Sequence, residues 1–186
     1  MKPRLLIVAS VALVFLGGAK ASAAETGEAP AGYKMDHYRS PVPDELEGVT
    51  VVDDDAAFAL WKTGKVVFID VLPKPPKPKL PEGTIFRERP RYSIPNAIWL
   101  PNVGYGRLAE ETDQYFRDHL DAATDGKDSP LLFFCLRDCW MSWNSAKRAQ
   151  SEYGYTHVFW YPDGTDGWQF FDYPVEKSKP AEPLDP

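Results

Sequence analysis

Two short apolar runs limit the folds that are open to this chain of 186 residues. Residues 66–71 are apolar except for Asp70, and residues 131–134 are apolar throughout. Runs this short and this apolar are typical of strands that are buried on both faces of a parallel sheet. Two further short strands are predicted at 97–100 and 157–161. The chain is therefore expected to contain a mostly parallel sheet with both of its faces covered.

Segments with helical character alternate with these strands. Three aspartates at 53–55 precede an apolar stretch that ends at Gly64, which predicts a helix between them. Apolar residues recur at helical spacing across 107–122, and a third helix is predicted over 145–153. Strands that alternate with helices predict a three-layer α/β domain, with a mostly parallel central sheet and helices on both faces.

The remaining segments are predicted to be irregular. The chain has 18 prolines, which favour long loops, and 73–95 is predicted to be one of them. The aspartates and glycines of 163–168 predict a second loop. Residues 24–44 are predicted to form a flexible or irregular leader, residues 45–173 the single domain, and residues 174–186 an unpacked, proline-rich tail.

The first 23 residues have the pattern of a cleaved secretory signal peptide. Lys2 and Arg4 precede an apolar run at 5–16, and small residues follow at 21–23. The run is shorter than the roughly 20 residues that cross a bilayer. Cleavage after Ala23 removes three cations and changes the formal net charge from −6 to −9. The mature protein is expected to be periplasmic and free of the membrane, in a compartment where two thiols can form a disulfide.

The composition argues against several classes of function. The chain carries 27 Asp and Glu residues against 21 Lys and Arg residues, whereas proteins that bind nucleic acids present a basic face. It has neither the Gly-x-Ser-x-Gly motif of serine hydrolases nor a glycine-rich phosphate loop. Two cysteines are too few for a disulfide-rich scaffold. The candidate chemistry therefore lies with the cysteine pair itself.

Both cysteines lie at the end of a predicted buried strand. Cys135 follows the 131–134 run directly, and Cys139 comes shortly after it. The carboxyl ends of parallel strands are where open α/β sheets place their sites, and the N-terminus of the next helix favours a thiolate over a thiol. Arg137 adds a positive charge between the two. We therefore predict Cys135 as the attacking thiolate, Cys139 as the resolving thiol, and Arg137 as a cation that stabilises the thiolate.

Three kinds of chemistry fit a Cys-x-x-x-Cys pair, and the residues alone leave them open. The first is thiol–disulfide exchange or sulfur handling, in which a small disulfide ring opens and closes. The second is a static disulfide that shapes a binding loop. The third is a copper(I) site in which Met141 or His157 supplies a third ligand, although the sequence assigns no metal site by itself.

Two other features are candidate binding elements. Trp140 and Trp143 are predicted either to stack on a planar ligand or partner, or to cover the apolar side of the loop. The segment 73–91 carries six cations against two carboxylates, and its prolines favour an extended course. It is predicted either to attract a small anion or an acidic partner, or to be a solvated loop. Its candidate binding residues are Lys77, Lys79, Arg87 and Arg89.

Asp70 is a further candidate binding residue at the end of a predicted strand. An aspartate in this position most often bonds to neighbouring loops, and that is what we expect here.

Several segments together resemble the rhodanese-like family of sulfurtransferase domains. In that family a strand that ends in Asp, an Ile-Pro-Gly-Ala segment and a strand-end cysteine recur in this order. The matching segments here are 67–71, 94–101, Cys135 with 145–149, and 154–158. A narrower resemblance is to the rhodanese-like proteins named for association with PQQ-dependent catabolism and for a Cys-x-x-x-Cys-Trp motif. It rests on 70–73, 100–106, 135–140 and 161–168.

This resemblance spans about residues 33–173 and implies both a fold and a role. The fold is the three-layer rhodanese-like domain. The role is that of an exported accessory protein of a PQQ-dependent alcohol oxidation pathway, with a quinoprotein dehydrogenase or a cytochrome as a partner. PQQ enters through this association with the pathway, and no other cofactor is implied.

The chain departs from the rhodanese pattern at the active loop. A rhodanese loop is short and its backbone N–H groups enclose a persulfide, whereas a helix that starts at Ser145 leaves a longer loop after Cys135. A tight cradle of N–H groups is therefore not expected. Cys139 would also attack a persulfide on Cys135 and release the sulfur. The sequence thus favours a dithiol site on a rhodanese-like scaffold.

Overall fold

The apolar runs form the middle of a five-stranded parallel sheet, as their composition predicts. This computed structural model describes residues 26–183, so the predicted signal peptide lies outside the described residues. The strands of the sheet are β1 (Thr50–Val51), β2 (Val67–Asp70), β4 (Ile98–Trp99), β5 (Leu131–Phe134) and β6 (Val158–Tyr161). Their order is β1-β6-β5-β2-β4, and every neighbouring pair is parallel. The predicted sheet is confirmed.

Four helices cover the two faces of this sheet in the part of the chain that the structure describes. They are α1 (Asp54–Thr63), α2 (Glu110–Ala122), α3 (Trp140–Ser151) and α4 (Gly164–Phe170). Leu131 and Phe133 lie in one core cluster with residues of α2 and α3. Leu132 and Phe134, which alternate with them along β5, lie in a second cluster with residues of α1 and α4. The fold is therefore the expected three-layer α/β domain.

The first helix, α1, is capped at both ends by the residues that the sequence predicts. The Asp53 side chain accepts a hydrogen bond from the Ala56 N–H at 2.9 Å, which caps the first turn. Gly64 ends α1 in the left-handed conformation, with a φ of 63°. The boundaries of α1 are therefore determined by residues that flank it in the sequence, and they agree with the prediction.

Two helices differ from the predictions. The third helix begins at Trp140 and not at Ser145, so that only residues 135–139 connect it to β5. Its N-cap residue, Cys139, makes no side-chain cap hydrogen bond, and the sequence therefore carries no capping signal there. The segment predicted as a loop at 163–168 largely forms α4, because burial of Trp168 against α1 outweighs the low helix propensity of its glycines.

The C-terminal segment is packed against the domain, so the prediction of an unpacked tail is wrong for its described part. The strand β7 (Glu176–Ser178) pairs in antiparallel fashion with β3 (Arg91–Ser93), which lies within the segment predicted as a loop. Further along, the Ala181 N–H donates to the Trp99 carbonyl at 2.9 Å. Backbone pairing of this kind depends little on side-chain type, which is why the polar, proline-rich sequence gave no sign of it.

The described part of the leader is irregular, as predicted, but it packs against α3. The Lys34 N–H donates to Asn144 Oδ1 at 3.0 Å, and Asn144 Nδ2 donates to the Lys34 carbonyl at 2.9 Å. Among residues 26–183, no helix has the length and apolar character needed to cross a membrane.

Candidate functional site

The two cysteines meet at the carboxyl edge of the sheet, as the sequence predicts. Cys135 follows the last residue of β5, and Cys139 is the N-cap of α3. The two form a disulfide, with their Cα atoms 6.2 Å apart. Both residues are buried in the core cluster on the α2 and α3 side, with 0% and 2% of their surface exposed. The bond therefore closes the short connection between a central strand and a helix.

The loop that the disulfide closes is tied to the start of α4. The Thr165 N–H donates to the Cys135 carbonyl at 3.0 Å, and Leu136 forms an antiparallel bridge with Gly164. Gly164 has a φ of 51°, and a Cβ added there would lie 2.5 Å from the Cys135 carbonyl oxygen. Only glycine fits this approach, so the position of the cysteine loop depends on the residue at 164.

A buried ion pair lies directly beneath this loop. Asp70, which is fully buried at the end of β2, accepts from Arg91 Nε at 2.8 Å and from Ser93 Oγ at 2.5 Å. The other guanidinium nitrogens donate to Thr165 Oγ1 at 3.1 Å and to the Cys135 carbonyl at 3.5 Å. Arg91 therefore links β2, α4 and the cysteine loop.

The sequence predicted the hydrogen bonding of Asp70 but not the burial of its partner, Arg91. Asp70 Oδ1 also accepts from the Leu72 N–H at 3.0 Å, so this residue bonds to neighbouring loops as expected. Arg91 belongs to the segment 73–91, for which the sequence predicts either a solvated loop or an anion-attracting one, whereas only 8% of its side chain is exposed. The signal that could have found it is Asp70 itself, because an aspartate in a buried strand needs a cation or donors within reach.

Arg137 is directed to a carboxylate on the far side of the loop. Its Nε lies 2.6 Å from Asp163 Oδ1, and its backbone N–H donates to Asp166 Oδ2 at 3.0 Å. The hydrogen bond to Asp163 raises the pKa of Arg137 further above its ordinary value. Because the charge is offset by this partner, Arg137 holds the loop to α4, and its predicted role as a thiolate-stabilising cation has no support in this geometry.

Trp140 and Trp143 pack in the core and form no exposed stacking surface. They are 1% and 2% exposed, and their rings meet edge to face at 5.3 Å. Trp140 Nε1 donates to Ser40 Oγ at 2.9 Å. Neither indole is therefore free to stack on a ligand or partner, and both belong to the core cluster on the α2 and α3 side.

The leader packs against the Cys139 end of the loop. Arg39 forms an antiparallel bridge with Cys139, and the Trp140 N–H donates to the Tyr38 carbonyl at 3.0 Å. Tyr38 is itself held, because its hydroxyl accepts from the Gly106 N–H at 3.2 Å and its ring meets that of Tyr105. We call residues 33–42 the leader strap.

The geometry removes His157 as a third ligand of the copper(I) alternative. His157 precedes β6 and therefore lies at the amino edge of the sheet, opposite the cysteines, where its Nδ1 is 2.8 Å from the Asp128 carbonyl oxygen. Met141 is buried in the first turn of α3. Within residues 26–183, no cluster of three or more His, Cys, Asp or Glu side chains is placed to hold a metal ion.

The four candidate cations of the basic segment, 73–91, make no direct contact with the cysteine loop through hydrogen bonds or ion pairs in the described structure. The side chains of these four, Lys77, Lys79, Arg87 and Arg89, are exposed. The segment borders a groove of about 920 Å³ whose floor includes Trp99. Among the described residues, Arg91 connects this segment to the cysteine loop.

No family model and no curated protein matches the chain. Several solved structures resemble it. A thiosulfate sulfurtransferase from Pseudomonas aeruginosa has 15% identity and a TM-score of 0.47 over 71% of this chain and 21% of that one. A polysulfide-sulfur transferase from Wolinella succinogenes has 15% identity and a TM-score of 0.45 over 69% and 79%. An uncharacterized protein from Saccharomyces cerevisiae has 18% identity and a TM-score of 0.42 over 67% and 93%.

This chain thus spans about a fifth of the length of the Pseudomonas protein. These likenesses assign no activity to it.

Proposed function

We propose that this chain is an exported rhodanese-like accessory protein of a PQQ-dependent alcohol oxidation pathway, and that its Cys135–Cys139 disulfide exchanges with the thiols of a partner. The placement of the disulfide carries the chemical part of this proposal. It joins the residue after a central parallel strand to the N-cap of a helix, where α/β folds place reactive groups. The pathway, the periplasmic location and a quinoprotein dehydrogenase or cytochrome as the partner rest on the motif resemblance.

The exchange reaction balances without any other oxidant or reductant. In the reduced protein, one cysteine thiolate attacks a partner disulfide and releases one partner thiolate, so that a mixed disulfide forms. The second cysteine thiolate then attacks this bond, closes Cys135–Cys139 and releases the second partner thiolate. Two electrons pass from this chain to the partner, and the reverse sequence returns them.

The geometry favours Cys139 as the attacking thiol, in contrast to the assignment made from the sequence. Cys139 is the N-cap of α3, where the positive end of the helix dipole favours a thiolate. Cys135 lies behind it, with no exposed surface. The roles that follow are Cys139 as nucleophile and Cys135 as resolving thiol.

Sulfur transfer through a stable persulfide fits this arrangement less well. A persulfide on either cysteine would lie within reach of the other thiol, since the pair already meets as a disulfide. Attack of that thiol on the inner sulfur closes the disulfide and releases hydrosulfide. Reduced protein incubated with thiosulfate and cyanide is therefore expected to form no thiocyanate catalytically, whereas it should reduce oxidised glutathione stoichiometrically. Catalytic thiocyanate formation would instead assign sulfur transfer.

Burial of both sulfur atoms favours a second candidate, a binding module with a static disulfide. Cys135 is 0% exposed and Cys139 is 2% exposed, whereas thiol exchange needs access to one sulfur atom. The candidates differ in what the leader strap does. In the exchange proposal the strap shields Cys139 and must open, whereas in the static one it is only part of the packing.

Loosening the strap is therefore expected to speed reduction of the disulfide. Tyr38→Ala removes the contacts of this side chain with Gly106 and Tyr105. Since local opening then costs less, reduction by dithiothreitol under native conditions should be about fivefold faster. The measurement is the rate at which a maleimide labels the freed thiols.

The matched control for this test is Tyr92→Ala, which removes a half-exposed tyrosine ring from β3, away from the strap. It should leave the rate of reduction unchanged. Equal rates for the two variants would contradict a shielding role for the strap.

A further inference from the structure

The described part of the C-terminal segment adds two cations to the basic segment. The β3–β7 pairing aligns Lys177 with Tyr92, and both Lys177 and Lys179 are exposed. These two lysines line a pocket of about 220 Å³ together with Lys74 and Arg89. Lys177 and Lys179 lie more than 80 residues after Lys74 and Arg89 in the sequence, and the antiparallel pairing of β3 with β7 brings the two pairs together.

This pocket is continuous with the larger groove of about 920 Å³, because both are lined by Lys74, Glu88, Arg89 and Trp99. We call the combined surface the basic face. Besides Arg91, six cations line it, namely Lys74, Lys77, Arg87, Arg89, Lys177 and Lys179. We count a seventh with them, the exposed Lys79, which follows Lys77 in the same segment and lines neither pocket.

Most of the positive charge on the basic face is uncompensated. Within residues 26–183, Lys74 is the one cation of the seven that forms an ion pair, with Glu88 at 3.3 Å. The same segments carry the exposed carboxylates of Glu82, Glu88 and Glu176, so that the seven cations leave a net charge of +4. The chain as a whole carries a formal net charge of −6, so this concentration of cations opposes the general charge of the protein. An acidic partner would be repelled by the rest of the surface and attracted here.

Exposed apolar side chains accompany these cations. Leu80, Ile85 and Phe86 in the same segment are 43%, 82% and 41% exposed. Arginines and aromatic side chains mixed in this way are typical of protein interfaces, in which apolar contacts supply affinity and charges supply orientation. A solvated loop or a site for a small anion has no need of these apolar groups.

We propose that the basic face docks an acidic segment of a partner protein. The proposal goes beyond the thiol chemistry and does not depend on it. The face also adjoins the cysteine loop, because Arg91 begins β3 and bonds to the Cys135 carbonyl. A partner bound here lies next to the edge of the sheet that carries the disulfide.

The test uses the full chain and a fluorescent polyglutamate peptide as the probe. Binding is followed by fluorescence anisotropy at about 20 mM and at about 200 mM sodium chloride, since surface charges are screened at the higher concentration. Three paired variants carry the same change of charge. They are Lys77→Gln with Lys79→Gln, Lys177→Gln with Lys179→Gln, and, as the control, Lys62→Gln with Lys65→Gln, which replaces exposed lysines at the end of α1.

The first two pairs are each expected to weaken peptide binding about three- to tenfold at low salt, which is the effect of losing two partly screened surface charges. The control pair should change it less than about twofold. The same changes in peptide affinity are expected when the three pairs are made in a chain that also carries Cys135→Ser and Cys139→Ser. This separates the proposal from the thiol chemistry.

Four results would overturn the proposal. The first is an absence of binding at low salt. The second is an equal loss in the control pair, which would assign binding to net charge alone. The third is an undiminished affinity in the Lys177 and Lys179 pair. The fourth is a competitor that binds more strongly than the peptide and displaces it. Displacement by sodium sulfate at equal ionic strength would assign a small-anion site. Displacement by an oligodeoxythymidine of equal charge would assign a nucleic-acid site.

Discussion

Replacing Arg91 with alanine is expected to lower the free energy of unfolding by about 3–5 kcal/mol, the range found when one partner of a buried ion pair is removed. Asp70 is fully buried, and its carboxylate is left with the hydroxyl of Ser93 and the N–H of Leu72 as donors. These two neutral donors do not offset the charge. The measurement is urea unfolding of the oxidised protein, read as a shift of the midpoint at an unchanged slope.

Arg89→Ala is the matched control, because Arg89 is exposed and lies two residues before Arg91. It should change stability by no more than about 0.5 kcal/mol. Adding Asp70→Asn to Arg91→Ala should recover part of the loss, since the buried charge is then removed. If Arg91→Ala and Arg89→Ala unfold at the same urea concentration, the proposed role of Arg91 under the cysteine loop is wrong.

The second large effect is expected in the single cysteine variants. Cys135→Ser leaves the Cys139 thiol at the start of α3, and this variant should form a mixed disulfide with oxidised glutathione about tenfold to a hundredfold faster than Cys139→Ser. The reason is that a helix N-terminus favours the thiolate, whereas the thiol of Cys135 has no exposed surface. Mass spectrometry of samples quenched at timed intervals gives both rates.

The reduced parent chain is the control for this experiment. It should release both glutathione thiols and accumulate no mixed disulfide, because the second cysteine closes the ring. A faster reaction of Cys139→Ser would restore the assignment of Cys135 as the nucleophile. If neither the variants nor the reduced parent chain reacts with oxidised glutathione, thiol exchange is not the function of the pair.

The sequence was sufficient for the features that depend on local composition. The apolar runs at β2 and β5 predicted buried parallel strands, and the position of Cys135 after β5 predicted a site at the carboxyl edge of the sheet. Asp53 and Gly64 located α1 through their own capping groups. In each of these cases the signal and the structure that it produces lie within a few residues of each other.

The missed features depend on contacts between distant segments. Arg91 is buried because it meets Asp70, 21 residues earlier, and Thr165, 74 residues later. The early start of α3 depends on the Tyr38 carbonyl, which accepts the Trp140 N–H, and on burial of Trp140 and Trp143. The β3–β7 pairing is made by backbone groups, which all residues except proline share. Asp70 in a buried strand signals that a cation or donors must lie within reach, but it does not say which residues supply them. No local pattern reports the other contacts.

The reduction potential of Cys135–Cys139 in the full chain tests the exchange proposal most directly. The oxidised fraction is measured by thiol trapping across a graded series of glutathione buffers, with the Tyr38→Ala variant beside the parent chain to allow access to the sulfur atoms. A value near or above about −230 mV is expected, because a disulfide that serves exchange must be reducible by other thiols. A value below about −300 mV would show a static clasp and would contradict the proposed exchange.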